Sequence, residues 1–142
     1  MSNNIRGKII DDIVSILENT GAFKKVYKNH IPVWEKARYY PSIGVIYEKE
    51  NVGENRVNYA GYNRVYGTIR FLIYNKQHRD TYEDNLSDLI DLVYNSVYDN
   101  LKCDKLVNYN FTSMKRDGGL LHPYSVAEIT LEVTFSATWL TL

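Results

Sequence analysis

Apolar residues at the start of the chain recur at helical spacing. Ile5, Ile9, Ile10, Ile13, Ile16 and Leu17 share one face of a helix expected from about Asn3 to Glu18. Gly21 stands where such a helix ends, because glycine tolerates the left-handed conformation. Phe23, Val26 and Tyr27 predict a short strand, and the flanking Lys24, Lys25 and Lys28 place it at a sheet edge. Residues 31–40 hold Pro32, Trp34 and several charges and read as a connection. After Pro41 the run Ser42-Ile43-Gly44-Val45-Ile46-Tyr47 is a strand. The polar stretch from Glu48 to Asn63, with Gly53 and Gly61, predicts an exposed hairpin arm. From Val65 to Tyr74 the chain alternates. Val65, Gly67, Ile69, Phe71 and Ile73 face one way, and Tyr66, Thr68, Arg70, Leu72 and Tyr74 the other.

A second helix begins near Asp80, with Glu83 three positions on forming a capping-box-like pair. Its buried stripe is Tyr82, Leu86, Leu89, Ile90, Val93, Val97 and Leu101. Leu106 to Met114 is the next strand, followed by the turn signal Asp117-Gly118-Gly119 and a short loop through His122-Pro123. The last strand alternates most cleanly: Ala127, Ile129, Leu131, Val133, Phe135 and Ala137 against Glu128, Thr130, Glu132, Thr134, Ser136 and Thr138. The expected fold class is therefore α+β. A single, largely antiparallel sheet of four to five strands carries two helices packed on one face, and its uncovered face is rich in Thr, Glu and Tyr.

Length and composition narrow the function. The 142 residues fit one domain, 1–142, and 44% hydrophobic with 24% charged residues allows an ordinary core. The opening residues Met1 to Gly7 hold no apolar h-region, and no apolar run is long enough to span a bilayer, so a soluble protein made in a cytoplasm is expected. The 17 basic and 17 acidic side chains cancel, which removes the general basic excess that duplex DNA binding relies on. The charge is uneven all the same. Lys24, Lys25, Lys28, Lys36 and Arg38 make an early stretch basic, and Asp80, Glu83, Asp84, Asp88, Asp91 and Asp99 make a later one acidic. Such blocks are either solvated faces or complementary patches between neighbouring subunits. The 13 tyrosines suit half-buried strands and interfaces equally.

Candidate chemistry is sparse. Cys103 is alone and reads as a bland thiol. His30, His78 and His122 are far apart, with no metal-ligand spacing to one another. No phosphate loop or nucleophile elbow appears, and Asp84 with Asp88 reads as helix-surface charge. The Asn-x-Ser/Thr matches at Asn85 and Asn110 fall inside predicted elements and read as chance. No catalytic, metal or cofactor-binding residue is assigned, and the chain is expected not to be an enzyme. Two rivals stay open: an enzyme whose site is assembled from distant residues, and a sheet-face RNA-binding module stacking bases on Tyr66, Tyr74 and Tyr109.

The element order resembles the tail terminator and tail completion proteins of long-tailed bacteriophages. The resemblance is carried by Ile16-Leu17-Glu18 with Phe23 and Val26, by Pro41-Ser42-Ile43-Gly44-Val45, and by Arg64-Val65-Tyr66-Gly67-Thr68-Ile69. It continues through the helix with Asp84, Leu86, Leu89, Ile90 and Val93, then Asp117-Gly118-Gly119 and Ala127-Glu128-Ile129-Thr130-Leu131-Glu132-Val133. It implies a ring of subunits, usually six, in the tail or neck of a virion. Such a ring caps the tail tube, stops its polymerisation and offers a docking surface to the head connector. Implied partners are the chain itself, the tail tube protein and the connector, with double-stranded DNA passing through the lumen without sequence recognition. A connector or neck completion protein is the close alternative. Two segments are the expected subunit, tube or connector contacts. One is the arm, with Glu48, Glu50, Glu54, Arg56, Tyr59, Tyr62 and Arg64; the other is the loop with Lys115, Arg116, Asp117, His122 and Tyr124.

Overall fold

The computed structural model describes residues 4–30, 39–52, 62–76, 85–116 and 124–138. The first helix, α1, runs from Ile5 to Asn19. Asn4 caps it, its side-chain oxygen accepting from the Gly7 N–H at 3.2 Å. Ile9, Ile10, Ile13 and Leu17 are its buried face, as the spacing predicts. Gly21 follows at φ +71°, a left-handed conformation that ends the turn.

Strand β1 (Lys25–Lys28) pairs with β2 (Ser42–Val52), and β2 pairs with β3 (Tyr62–Lys76). The second helix, α2, spans Asn85–Asn100, and β4 (Leu106–Arg116) and β5 (Tyr124–Thr138) complete the chain. The five strands form one sheet in the order β1-β2-β3-β5-β4. Three of its ladders are antiparallel, so the α+β, largely antiparallel expectation holds. One ladder differs from a hairpin-only reading. β1 runs parallel to β2, Lys25 opposite Ser42 and Lys28 opposite Val45, because the chain returns to the start of β1 before β2 begins.

The expected hairpin arm is also corrected in part. Glu48 to Val52 continues β2, with Val52 opposite Val65, and Tyr62 to Arg64 begin β3. A bulge between Tyr47 and Lys49 inserts one residue and lets the ladder run on through a polar sequence. The tip of the arm, 53–61, lies outside the described residues. So do the predicted helix start at Asp80 with Glu83, and the turn Asp117-Gly118-Gly119.

α1 lies over β1 and β2, and α2 over β3 and β5, both on the same face. Val65, Ile69, Phe71 and Ile73 of β3 join Ala127, Ile129, Leu131, Val133 and Phe135 of β5 beneath them, all fully buried. Leu86, Ile90, Val93 and Val97 close this layer from α2. Full burial of each such side chain favours folding by about 1.5–3 kcal/mol, which is why the period-two and period-3.6 patterns fix the layers. On the opposite face Thr68, Arg70, Thr130 and Thr134 are half-exposed and Tyr66 and Glu132 exposed.

This assignment of faces predicts a contrast between two aromatic residues of β3. Phe71→Ala, in the covered layer, should cost about 3–5 kcal/mol in urea denaturation. Tyr66→Ala, on the open face, should change stability by no more than about 0.5 kcal/mol.

Candidate interaction surfaces

The ladders give each candidate residue a position. Tyr62 and Arg64 lie at one end of the long strands, where Tyr62 pairs with Thr138, while Glu50 opposite Gly67 and Glu48 in the bulge beside it lie near the middle. Lys115, Arg116 and Tyr124 lie at the other end, where Arg116 pairs with Ala127 and Tyr124 with Lys76. Arg64 pairs with Ser136, which is twelve residues along β5 from Tyr124. At roughly 3.3 Å per residue, Arg64 and Tyr124 are about 40 Å apart, whereas Glu48, in the bulge level with Leu131 and Glu132, is only about 10–13 Å along the strands from the level of Lys115 at Glu128. The structure therefore spreads them along the sheet, with Tyr62 and Arg64 at one end, Tyr124 at the other, and Glu48 and Glu50 between them. Glu54, Arg56, Tyr59, Asp117 and His122 lie outside the described residues.

Glu50 is engaged within its own chain. The bulge turns it to the helix side, opposite Gly67, where Arg6 of α1 donates to both carboxylate oxygens at 2.6 and 2.5 Å. The Tyr47 hydroxyl donates to the same carboxylate at 2.6 Å, and the Arg6 guanidinium sits 5.9 Å from the centre of the Phe135 ring. Hydrogen bonds from Arg6 hold the Glu50 carboxyl below its ordinary value, with Tyr47 adding to the effect. Burial, and then the bond to Glu50, pushes the Tyr47 phenol well above its ordinary range, so it stays a donor. Gly67 makes this arrangement possible. A Cβ there would strike the Tyr47 phenol, 2.8 Å from its Cζ.

Glu48 lies on the open face and belongs to a charged row. Arg70 donates to Glu128 at 2.9 Å through Nε, and its Nη1 lies 3.5 Å from Glu48. Sequence reasoning placed Arg70 on this face without assigning it a role. Its partners stand 22 and 58 residues away, and no local spacing connects them. At the other end Tyr124 packs on Tyr40, ring centres 5.5 Å apart, with the Lys76 ammonium 5.7 Å from its ring centre. Arg116 donates to the Ser87 hydroxyl at 3.2 Å, which puts its side chain on the helix side of β4.

An aromatic groove that sequence reasoning missed runs between α2 and β4. Tyr94 and Tyr98 stack edge-on against Phe111, at 4.7 and 5.1 Å. Tyr109 donates to the Tyr98 carbonyl at 2.9 Å, and the Tyr98 hydroxyl accepts the Phe111 N–H at 3.2 Å. The groove holds about 410 Å³ and is lined by Tyr94, Asn95, Tyr98, Phe111 and Met114 among others. The four-residue spacing of Tyr94 and Tyr98 on one helix face was the available signal.

The proposed tyrosine platform for RNA is not assembled. Tyr66 is exposed on the open face, but Tyr74 is only 4% exposed, and Tyr109 pairs with Val133 on the helix side. Cys103 is half-buried, and burial with Asp12 nearby raises its thiol pKa, away from nucleophile behaviour. His30 lies edge-on to Tyr27 at 5.9 Å, while His78 and His122 are outside the described residues. Among the described residues, no three His, Cys, Asp or Glu side chains form a metal-holding group. Of the basic block, Lys24, Lys25 and Lys28 surround edge strand β1, and Lys28 pairs with Asp11 of α1. Asp88, Asp91 and Asp99 are exposed on α2.

No protein-family model matches the chain, and no curated protein matches it. A solved structure does. It is a chain of the virion of a native gene transfer agent particle, with a TM-score of 0.57 and 13% sequence identity. The similarity covers 96% of this chain and all of that one, so the two share a fold along their whole lengths.

Two expectations follow from the Arg6–Glu50–Tyr47 cluster. Gly67→Ala should destabilise the fold by about 1–3 kcal/mol, and by much less in a Tyr47→Ala background, as a double-mutant cycle in urea will register. Because the folded-state value of Glu50 is depressed, its contribution is present above its ordinary value of 4.5 and is lost as pH falls through the lower folded value. As pH falls from 4.5 toward that lower value, wild-type stability should therefore decline more steeply than that of Glu50→Gln, and below it the two slopes should converge.

Proposed function

We propose that this chain is a structural part of a phage-like virion, and within it a tail terminator. In this reading it forms a closed ring, usually of six subunits, that caps the tail tube, stops its polymerisation and presents a surface to the head connector. The observation that carries the reading is the end-to-end likeness to a chain of a gene transfer agent virion. That likeness falls on a sequence whose element order independently resembles tail terminators. The reading assigns the chain no catalysis, and its residues act by docking.

The geometry is suited to such a part. Arg64 and Tyr124, about 40 Å apart along the strands, give one subunit separate surfaces at the two ends of the sheet for tube and connector. A net charge of zero suits a lumen that passes DNA without gripping its phosphates.

Removing the gene from a particle-producing host, and imaging the particles, is the direct test. A terminator predicts overlong tails with no heads attached. Tails of normal length beside leaking, tailless heads would replace this reading with a connector of the neck. Unchanged particles would remove the virion role altogether.

A further inference from the structure

Two strands carry backbone that no strand among the described residues covers. β1 pairs with Ser42–Val45 alone, so β2 is open from Ile46 to Val52. On the opposite side β4 is the last strand of the sheet along Leu106–Arg116. Open edges of this length template pairing with another chain.

We propose that β4 of one copy pairs antiparallel with Tyr47–Val52 of β2 in the next copy, so that the sheet runs on from subunit to subunit. The proposal rests on the ring reading and supplies the surface that builds the ring. Strand direction permits it. β2, β3, β5 and β4 alternate in direction through three antiparallel ladders, so β4 runs opposite to β2. A neighbour in the same orientation then presents β2 antiparallel to β4, with all helices on one side.

Sterics and parity select the register. Within one copy Tyr47, Ile69, Leu131 and Phe111 lie at one level. Pairing at that level would drive Ser113–Arg116 into the neighbour's β1. A shift of four residues toward Val52 clears β1, and an even shift keeps each face on its own side. Arg116 then stands opposite Tyr47, Met114 opposite Glu50 and Phe111 opposite Val52 on the helix side. On the open side Lys115 meets the Glu48–Lys49 bulge and Ser113 meets Asn51. The bulges in β2 and β4 fall within this stretch and offset each other.

The contacts created are complementary. Val52, which is 49% exposed, comes beside the aromatic groove of Tyr94, Tyr98, Phe111 and Met114. Lys115 comes beside Glu48, both exposed. The two surfaces are unlike, so contacts of this kind close into a ring or run on as a filament. A stagger repeated in one sense tilts the strands against the axis, as closing a sheet requires.

Asn51→Cys and Ser113→Cys, combined in a Cys103→Ser background, test the pairing. Opposed residues in an antiparallel ladder have Cα atoms about 4.5–5.5 Å apart, inside the disulfide range of about 4.4–6.8 Å. The full chain is concentrated until it assembles, oxidised, then denatured and resolved without reductant. The proposal expects a ladder of covalent multimers from the double variant and monomers from each single variant. It is overturned by an assembled double variant that denatures to monomer, by Ser113→Cys linking to itself, or by a chain that assembles neither alone nor with tail tube protein. The tail-length phenotype judges the terminator reading separately, so edge pairing can fail while that reading stands.

Discussion

Everything in this molecule depends on burying one face of a long sheet beneath two helices. Phe71, Ile69 and Val65 of β3, with Ile129, Leu131 and Phe135 of β5, can leave water only if α1 and α2 lie across them. Two helices of 15 and 16 residues are enough to cover that face of the central strands and no more. Along Tyr66 to Arg70 and Thr130 to Thr134 the other face meets water, and among the described residues the outer strands keep unpaired edges. What looks like surplus surface is a geometric consequence of the core.

That consequence links packing to the proposed assembly. A monomer tolerates a long open edge poorly, because exposed strand backbone recruits other chains. Here β1 is four residues long and covers a fraction of β2, while β4 is eleven residues long, bulged twice and half-covered by Tyr94 and Tyr98. The Arg6–Glu50–Tyr47 cluster has a part in this as well. It ties the start of α1 to the far half of β2, the segment left open, and holds it in register over Gly67. An edge kept rigid in this way is pre-organised for a partner, which lowers the ordering cost of association.

Much of this was legible in the residues. Both helices, the alternation of β3 and β5 and the helix-covered face follow from apolar periodicity, because removal from water outweighs every other influence at those positions. The direction of β1 was not legible, since Val26 and Tyr27 pair equally well either way and the route of the following connection decides. Glu48 to Val52 read as an arm because its charges mask strand alternation. The ladder continues because Arg6 and Tyr47 satisfy Glu50, and Arg70 approaches Glu48. The candidate contacts were legible as exposed polar segments, but their positions along the sheet required the β2–β3 and β3–β5 registers. The groove at Tyr94 and Tyr98 required knowing that β4, and not β3, lies beside that face of α2.

The central claim is that this chain is a ring-forming part of a virion tail, so the most direct measurement is its native mass by light scattering across concentration and salt, alone and with tail tube protein. The account predicts a closed multiple of the 16.6 kDa chain, near six, reached alone or on the tube. A monomer under every condition, with tube protein present as well as absent, would contradict it.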